Sequence, residues 1–360
     1  MTSLLVVIVL ILLAVAVWQI SKIHSLTQIG AGARLNDSQV ANHKDNNING
    51  YLMFGFLVFI YILSIYSLYE WGPLVLIDNA ASVHGSEIDN LMMISFVMIL
   101  VVMFITQALL HYYAFKYRGI EGRKALYFAD NNKLEAAWTI VPVIALSILI
   151  LYGLYTWNDI MFVDPEEEEV MYVEIYAKQF SWEARYAGKD NALGKANVRL
   201  IEGINTVGLD LSDPNAKDDI VTSELHLPIG KKVVFKIRSQ DVLHSAYMPH
   251  FRAQMNCVPG MVTQFAFTPS ITTADFRALP ETIAKVENIN KLRADKSIEL
   301  LAQAEEALDP YEFDFLLLCN KICGASHYNM QMKIVVETQE EFDKWMSTQQ
   351  RLYSKVMYGG

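Results

Sequence analysis

The sequence is poor in cysteine and, in its second half, in long apolar runs. It has three cysteines among 360 residues. None of them belongs to a Cys-x-x-Cys-His run, which excludes a covalently attached c-type haem. The first residues, MTSLLVV, carry no basic group of the kind that opens a signal peptide, and no small-residue cleavage site follows. We therefore expect the apolar N-terminal segment to be retained in the protein.

Long apolar runs are confined to the first half of the chain, although 53% of all residues are hydrophobic. That fraction is too high for an ordinary soluble domain, and the charged second half does not suit a purely membrane protein. A helix needs roughly 20 apolar residues to cross a hydrocarbon layer about 30 Å thick. Four segments meet this requirement: Leu4–Ile20, Tyr51–Tyr69, Met92–Phe115 and Ala137–Trp157. The sequence thus predicts four membrane spans followed by a soluble domain.

The charges of the connecting loops predict the orientation of these spans. Cytoplasmic loops carry an excess of lysine and arginine. The loop from Lys116 to Lys133 is basic, as is the 21–50 loop, whereas the loop from Glu70 to Leu91 has only acidic charges. With the basic loops inside, all four spans alternate consistently, and the chain from Asn158 onward lies on the outer face of the membrane.

The outer domain is about 200 residues long, which is enough for one hydrophobic core. Its runs MYVEIYAK from Met171, KVVFKIRS from Lys232 and VTQFAFT from Val262 alternate apolar and polar side chains, while FDFLLLC and KIVVE are short apolar runs. Short strands between Gly, Pro, Asn and Asp clusters indicate an antiparallel sandwich or barrel. Residues Glu281–Leu308 instead have apolar side chains at helical spacing, which predicts one or two helices inserted between strands.

The run CNKICGASHYNM places Cys319, Cys323, His327 and Met330 in one loop. Two cysteines outside the cytoplasm most often form a disulfide, but a disulfide leaves the histidine and the methionine unexplained. Two cysteines and a histidine can also bind zinc, although zinc has little use for a thioether. Thiolate, imidazole and a weak methionine ligand are typical of copper electron-transfer sites. On the residues alone the three alternatives remain open, with copper favoured.

A single copper ion would leave one cysteine too many and one histidine too few. Two copper ions resolve both counts, because each thiolate can bridge both metals and each ion then needs one imidazole and one weak axial ligand. The second imidazole would be His244, near the end of the strand run from Lys232, while His250 is a poorer alternative in a turning segment. Met330 and a backbone carbonyl between the cysteines would be the axial ligands. Such a centre suits electron transfer rather than substrate chemistry.

Three motifs, CNKICGASHYNM, DVLHS and LEAAWTIVP, resemble those of subunit II of the haem-copper cytochrome c oxidases of bacterial type. The resemblance extends over residues 90–345. It implies a membrane-anchored all-β protein, in which transmembrane helices precede a cupredoxin-like Greek-key β-barrel with a helical insertion. It further implies a dinuclear copper centre, called CuA, with these ligands: Cys319 and Cys323 as bridges, His244, His327, Met330 and the backbone carbonyl of Lys321.

The same resemblance implies roles for residues outside the copper loop. Glu135 in LEAAWTIVP matches a glutamate near the cytoplasmic mouth of a proton path into subunit I, although a carboxylate there is also an ordinary partner of the helix dipole. The run QFSWEARY matches the aromatic patch at which the donor's electron enters. Phe180 stands where the family usually has tryptophan, and Trp182 is a substitute two residues later.

The chain also departs from the family pattern. Lys321 replaces a glutamate whose side chain helps to hold magnesium against subunit I; since an ammonium group cannot bind a cation, the resemblance leaves magnesium in doubt. Cys257 stands where the family usually has alanine, and we expect a buried free thiol. The first two spans and the helical insertion are additions, expected to pack against other subunits or to shape the donor's docking surface. The predicted domains are 1–90 (extra region), 91–160 (transmembrane hairpin), 161–345 (outer domain, insertion 281–308) and 346–360 (tail).

The expected function is that of subunit II of a proton-translocating cytochrome c oxidase. The outer domain would take electrons from a cytochrome c and pass them from CuA to haem in subunit I, where oxygen is reduced to water. Expected partners are subunit I, the other oxidase subunits, the cytochrome donor and a larger respiratory supercomplex, with no nucleic acid. The expected location is the bacterial inner membrane, crossed several times, with the C-terminal domain on the periplasmic face.

The net charge of −10, to which Asp241 contributes, suits a basic electron donor. Two other functions remain as alternatives. A quinol oxidase subunit II would have the helices and the barrel without the copper ligands. A membrane-tethered copper carrier or chaperone would have the ligands without an oxidase partner.

Overall fold

The computed structural model describes residues 11–23, 43–74, 79–163 and 169–358. Helices α2 (His43–Trp71), α3 (Gly85–Lys116) and α4 (Asn132–Met161) are long and apolar enough to cross a membrane, as predicted for the second, third and fourth spans. Each extends beyond its predicted bounds. The first predicted span, Leu4–Ile20, begins outside the described residues, and its described part lies in the short helix α1 (Ile11–Ile23).

Residues 43–73 and 97–137 belong to one compact unit, in which α2 packs against α3. The Arg118 guanidinium, just beyond α3, donates from Nε to Oδ1 of Asn47 at 2.8 Å. The Phe115 ring contacts the rings of Tyr51 and Phe54. Gly50 permits this approach, because a Cβ there would lie 2.8 Å from Cδ of Arg118. The additional helix α2 therefore has a partner within its own chain.

The outer domain consists of two five-stranded sheets. Sheet one has the order β3-β2-β1-β5-β8, and sheet two has the order β4-β10-β9-β6-β7. The strands are β1 (Val170–Lys178), β2 (Ser181–Tyr186), β3 (Ile220–Thr222), β4 (Leu225–Pro228), β5 (Lys232–Ser239), β6 (His244–Met248), β7 (Ala253–Cys257), β8 (Thr263–Phe267), β9 (Phe315–Cys319) and β10 (Gln331–Glu337). All five predicted strand runs are confirmed as β1, β5, β8, β9 and β10.

The strand directions differ from the predicted antiparallel arrangement. β1 pairs with β5 in parallel, and β10 pairs with β4 in parallel, whereas the other pairs are antiparallel. The physical reason is the connectivity: β2, β3 and β4 separate β1 from β5 in the chain, so β5 returns to β1 by a crossover rather than a hairpin. The sheets are mixed, as a cupredoxin-like sandwich allows.

The core of the outer domain lies between the two sheets. Val173, Ile175 and Ala177 of β1 alternate inward and are fully buried, as are Phe235 and Ile237 of β5. The opposite face of β1 is covered by the 195–219 segment and by helix α8 (Leu352–Tyr358). That second cluster consists of Tyr176, Val207, Leu209, Ala216 and Leu352. The described part of the predicted C-terminal tail thus contributes to the core.

Beneath that cover lies a buried network of charges. Arg185 donates from Nε to Glu174 at 2.7 Å and from Nη1 to Asp219 at 2.6 Å. Arg238 also pairs with Glu174. Burial raises the pKa of Asp219 to about 6, against the opposing effect of Arg185. Because removing one member would leave a buried charge without its partner, this network fixes the 195–219 segment on sheet one.

The predicted insertion is one helix, α6 (Pro280–Ala302), and it follows the short helix α5 (Thr273–Arg277). It ends before the predicted limit at Leu308 because Ala304 has a positive φ of 59°. The chain then returns along the helix. Asn290 donates from its amide to the Tyr311 carbonyl at 3.1 Å and accepts from the Tyr311 N–H at 2.6 Å. Helix α7 (Gln339–Thr348) follows β10 and begins with a capping box at Thr338.

Candidate metal centre

Sheet two brings together residues that are far apart in the sequence. β6 begins at His244, and β9 ends at Cys319. The two strands are antiparallel, with Ala246 opposite Cys319. The register therefore places His244 beside the end of β9, although 75 residues separate it from Cys319. The 320–330 loop then carries the remaining predicted ligands back to β10.

The predicted ligand atoms converge in this corner of the domain. Cys319 Sγ lies 3.7 Å from His244 Nδ1 and 3.9 Å from Cys323 Sγ. Cys323 Sγ lies 3.6 Å from His327 Nδ1 and 3.7 Å from Met330 Sδ. The Lys321 carbonyl oxygen is 3.2 Å from Cys319 Sγ. The structure thus brings all six predicted donor atoms together.

The two sulfurs are not joined by a disulfide. Their separation of 3.9 Å is far above the bond length of about 2.05 Å. Burial, and then the neighbouring Cys319, raises the pKa of the Cys323 thiol to about 11. Since metals bind thiolates, a metal ion must displace these protons when it binds. Copper uptake would therefore be accompanied by proton release.

The donor set has the chemistry of a copper site. It combines two thiols, two imidazole nitrogens, a thioether and a carbonyl oxygen, and the thioether is a ligand that copper uses and zinc seldom does. Three of the six residues are shielded from solvent: His244 is 0% exposed, Met330 1% and Cys323 6%. Cys319 and His327 are half-buried. These residues could hold copper without any rearrangement of the strands that carry them.

Asp241 orients His244, and sequence reasoning had treated it only as a surface charge. His244 Nε2 lies 2.9 Å from Asp241 Oδ1, so the other ring nitrogen, Nδ1, faces the sulfurs. Burial opposes ionisation of Asp241, but hydrogen bonds from the Gln179 N–H and from His244 hold its pKa below the usual value. A carboxylate behind a metal-binding imidazole fixes the ring and raises its basicity. Its position three residues before His244 was the available signal.

His250 lies beyond the opposite end of β6 from His244. Its ring is surrounded by those of Phe276, Phe313 and Phe315, at centroid distances of 5.5, 5.1 and 5.5 Å. The alternative of His250 as a ligand is not favoured, because its ring lies among phenylalanine rings, whereas Nδ1 of His244 lies beside the Cys319 sulfur.

Cys257 lies opposite His244 on β7 and is a fully buried free thiol, as expected. Burial raises its pKa to about 12. It is not among the described residues whose ligand atoms cluster within 4.8 Å, which are His244, Cys319 and Cys323. Sequence reasoning leaves Cys257 out of the ligand set, and this stays a prediction, since the same grouping also omits His327.

The two predicted aromatic residues lie beside the site but differ in exposure. Trp182 is 3% exposed, its ring centroid is 6.1 Å from that of His244, and its Nε1 donates to the Met330 carbonyl at 3.4 Å. Phe180, in the turn between β1 and β2, is half-buried. Phe180 is thus exposed enough to contact a donor protein directly, whereas Trp182 is buried beneath the surface.

Glu135 lies in the first turn of α4 and is exposed. Its carboxylate accepts the Asn131 N–H at 3.4 Å, while the Asn131 side chain accepts the Leu134 N–H at 3.2 Å. These are helix-capping contacts, so the dipole-partner interpretation accounts for the position of Glu135 within this chain.

Comparison with known proteins shows to which family the chain belongs. The model of the cytochrome c oxidase subunit II transmembrane domain matches residues 70–156, and that of the subunit II periplasmic domain matches residues 171–277. The alternative cytochrome c oxidase subunit 2 of Bradyrhizobium diazoefficiens is 34% identical over 240 residues, which cover 66% of this chain and 71% of that protein. The chain belongs to the cytochrome c oxidase subunit II family.

More distant relatives are similar over comparable lengths. The cytochrome c oxidase subunit 2 of Alkalihalophilus pseudofirmus is 23% identical over 266 residues, covering 72% of this chain and 57% of that protein. The crystal structure of the subunit II periplasmic domain of Bradyrhizobium japonicum has 16% identity and a TM-score of 0.29, covering 49% of this chain and 91% of that one. The periplasmic-domain match ends before the loop of Cys319 to Met330, so the ligand assignment depends on the geometry described above.

Membership of the subunit II family confirms the main functional expectation. The protein is a membrane-anchored subunit II of a cytochrome c oxidase, and its sandwich is the family's periplasmic domain. The alternatives of a tethered copper carrier, a chaperone or a quinol oxidase subunit are not favoured, because the relatives are named as cytochrome c oxidase subunits. The His-Cys-Cys cluster is compatible with copper binding.

Proposed function

We propose that this subunit II takes electrons from cytochrome c at a dinuclear copper centre and passes them to haem in subunit I. The ligands would be His244, Cys319, Cys323, His327, Met330 and the Lys321 carbonyl. The supporting observation is the convergence of these six donors, with separations of 3.2–3.9 Å. A bound copper pair would supply a one-electron carrier, while the chain orients His244 through Asp241 and shields Cys323 from solvent.

We place the donor's approach at Phe180 and the relay behind it at Trp182. Phe180 is the more exposed of the two, and Trp182 contacts the segments of both His244 and Met330. The net charge of −10 supports electrostatic attraction of a basic cytochrome. Glu135 is proposed to serve the proton path of subunit I, in addition to its capping contact.

The assembly and location proposed for this protein follow from the same function. The partners would be subunit I with its haems, other oxidase subunits, the cytochrome donor and a larger respiratory supercomplex. Oxygen reduction and proton pumping would belong to that complex, in the bacterial inner membrane. We also propose the division into an extra region (1–90), a hairpin (91–160), an outer domain (161–345) and a tail (346–360). The packing of α2 against α3 supports a structural role for the extra region.

Electron paramagnetic resonance tests the copper proposal. Purified protein reconstituted with copper is expected to bind two ions and to give a seven-line hyperfine pattern, because one unpaired electron is shared by two equivalent nuclei across the bridging thiolates. Metal analysis on the same sample gives the stoichiometry. A four-line pattern with one ion per chain would contradict the dinuclear centre, and no bound copper would contradict the function itself.

The magnesium expectation has a separate test. Lys321 has an exposed side chain, and its ammonium group repels a divalent cation. In purified oxidase, we expect Lys321→Glu to add about one magnesium ion per complex, since carboxylate oxygen is a preferred magnesium ligand. Lys321→Gln is the matched control, because it removes the charge without adding a carboxylate. A full complement of magnesium in the native enzyme, unchanged in both variants, would be the contrary result.

A further inference from the structure

The turn between β1 and β2 belongs to sheet one, yet it covers the metal centre of sheet two. The turn consists of Gln179 and Phe180. The Phe180 ring lies against Gly324 of the 320–330 loop, which we call the copper loop. A Cβ at Gly324 would come within 2.8 Å of two ring carbons. Gln179 is exposed at the surface above the site. The turn therefore spans the two segments that carry the ligands.

Gln179 is hydrogen-bonded to both ligand segments. Its backbone N–H donates to Asp241 Oδ2 at 2.8 Å, and the other oxygen of that carboxylate, Oδ1, contacts His244 Nε2 at 2.9 Å. Its side-chain amide donates from Nε2 to the carbonyl oxygen of Cys323. One residue thus connects the His244 segment with the Cys323 segment.

These connections matter because the strand ladder ends at Cys319 and does not reach Cys323. β6 and β9 pair at Ala246 with Cys319 and at Tyr247 with Leu318. Cys323 lies in the loop beyond that ladder. Backbone hydrogen bonds hold the ends of this loop, from Asn320 N–H to the Ser245 carbonyl at 3.0 Å and from Cys319 N–H to the Met330 carbonyl at 3.1 Å, and the Gln179 amide holds Cys323 between them. Residues that hold a metal ligand from behind commonly change metal affinity or activity by 10–100-fold when mutated.

We propose that Gln179 is a positioning residue that fixes the His244 and Cys323 segments relative to one another. The proposal rests on the proposed copper-binding function. The side chain must be a neutral amide of this length. A carboxylate at the same place cannot donate to the Cys323 carbonyl and would add a negative charge beside Asp241, whereas asparagine is one methylene too short to reach.

The test uses the full chain loaded with copper. Gln179→Asn and Gln179→Glu are compared with the native protein for copper release to a chelator in excess and for the hyperfine pattern in electron paramagnetic resonance. We expect release to accelerate by roughly 10–100-fold, more in the Glu variant than in the Asn variant, with altered hyperfine splitting. The matched control is Gln339→Glu, since the Gln339 amide also donates a single hydrogen bond, to Asp343 of α7 at 2.8 Å.

Thermal unfolding of the metal-free variants separates positioning from general destabilisation. Unfolding temperatures equal to that of the native protein, together with faster copper release, would support the proposal. Native release rates and native spectra in both Gln179 variants would overturn it, as would equal acceleration in Gln339→Glu. If the native chain binds no copper, the result contradicts the proposed function and the inference with it. If the native chain binds copper and the Gln179 variants release it at the native rate, only the inference is contradicted.

Discussion

Replacing Cys323 by serine is expected to abolish the dinuclear centre while leaving the outer domain folded. The Cys323 sulfur is the most connected donor of the group, with His327, Met330 and Cys319 all within 3.9 Å. A hydroxyl is similar in size to a thiol but is a poor ligand for copper, which prefers thiolate and imidazole. Copper content should fall from two ions to at most one, and the seven-line pattern should disappear.

Electron transfer from a reduced cytochrome should fall with it by more than roughly 100-fold, because loss of a bridging ligand exceeds the 10–100-fold cost of losing a group behind a ligand. Stopped-flow oxidation of the donor measures the rate. Cys257→Ala is the matched control, since Cys257 is also buried near His244 but is not one of the proposed ligands. Two retained copper ions in Cys323→Ser, or their loss in Cys257→Ala, would contradict the ligand assignment.

The membrane helices and the main strands could be predicted because their signals are local. α2, α3 and α4 each contain an uninterrupted apolar run, and the aliphatic residues Val173, Ile175 and Ala177 alternate along β1. The ends of these helices were harder to predict from the sequence. Asn131 caps α4 through its side chain, which places the first turn several residues before the apolar run begins. Polar helical turns at the ends of a span have no apolar signature.

The direction of the strands and the second buried cluster, on the outer face of sheet one, could be known only from the tertiary structure. The parallel pairing of β1 with β5 depends on how the chain crosses between sheets, which no alternation pattern records. The outer face of sheet one contains Glu174 and Arg185, which suggest exposure to solvent, yet both are buried because the 195–219 segment and α8 cover them. Their charges are matched by partners distant in sequence.

The ligands of the metal centre could be predicted from the sequence, whereas the residues around them could not. The spacing of Cys319, Cys323, His327 and Met330 lies within one loop, so their convergence was predictable. His244 could be identified because two copper ions require a second imidazole. The surrounding contacts were not predictable from one sequence. Asp241 faces His244 and Trp182 lies behind Met330 only because the two sheets are packed together.

Gly324→Ala is expected to displace the β1–β2 turn from the copper loop and to weaken copper binding. A Cβ at Gly324 would lie 2.8 Å from two carbons of the Phe180 ring and 2.9 Å from Nε2 of Gln179. The residue also has a φ of +144°, which side chains other than glycine rarely adopt. We expect the free energy of unfolding to fall by about 1–3 kcal/mol from backbone strain alone. Urea unfolding of the metal-free protein measures that loss.

Two further variants separate backbone strain from the clash with the turn. Gly230→Ala introduces a methyl group where φ is also positive, at +76°, but the space beside the Cα is open. It should lower stability without changing copper release. In the double variant Phe180→Ala/Gly324→Ala the ring is absent, so part of the lost copper affinity should return although the strain remains. If the double variant releases copper as fast as Gly324→Ala, the Phe180 contact does not hold the loop, and the backbone conformation of Gly324 together with its contact to Gln179 must account for the effect.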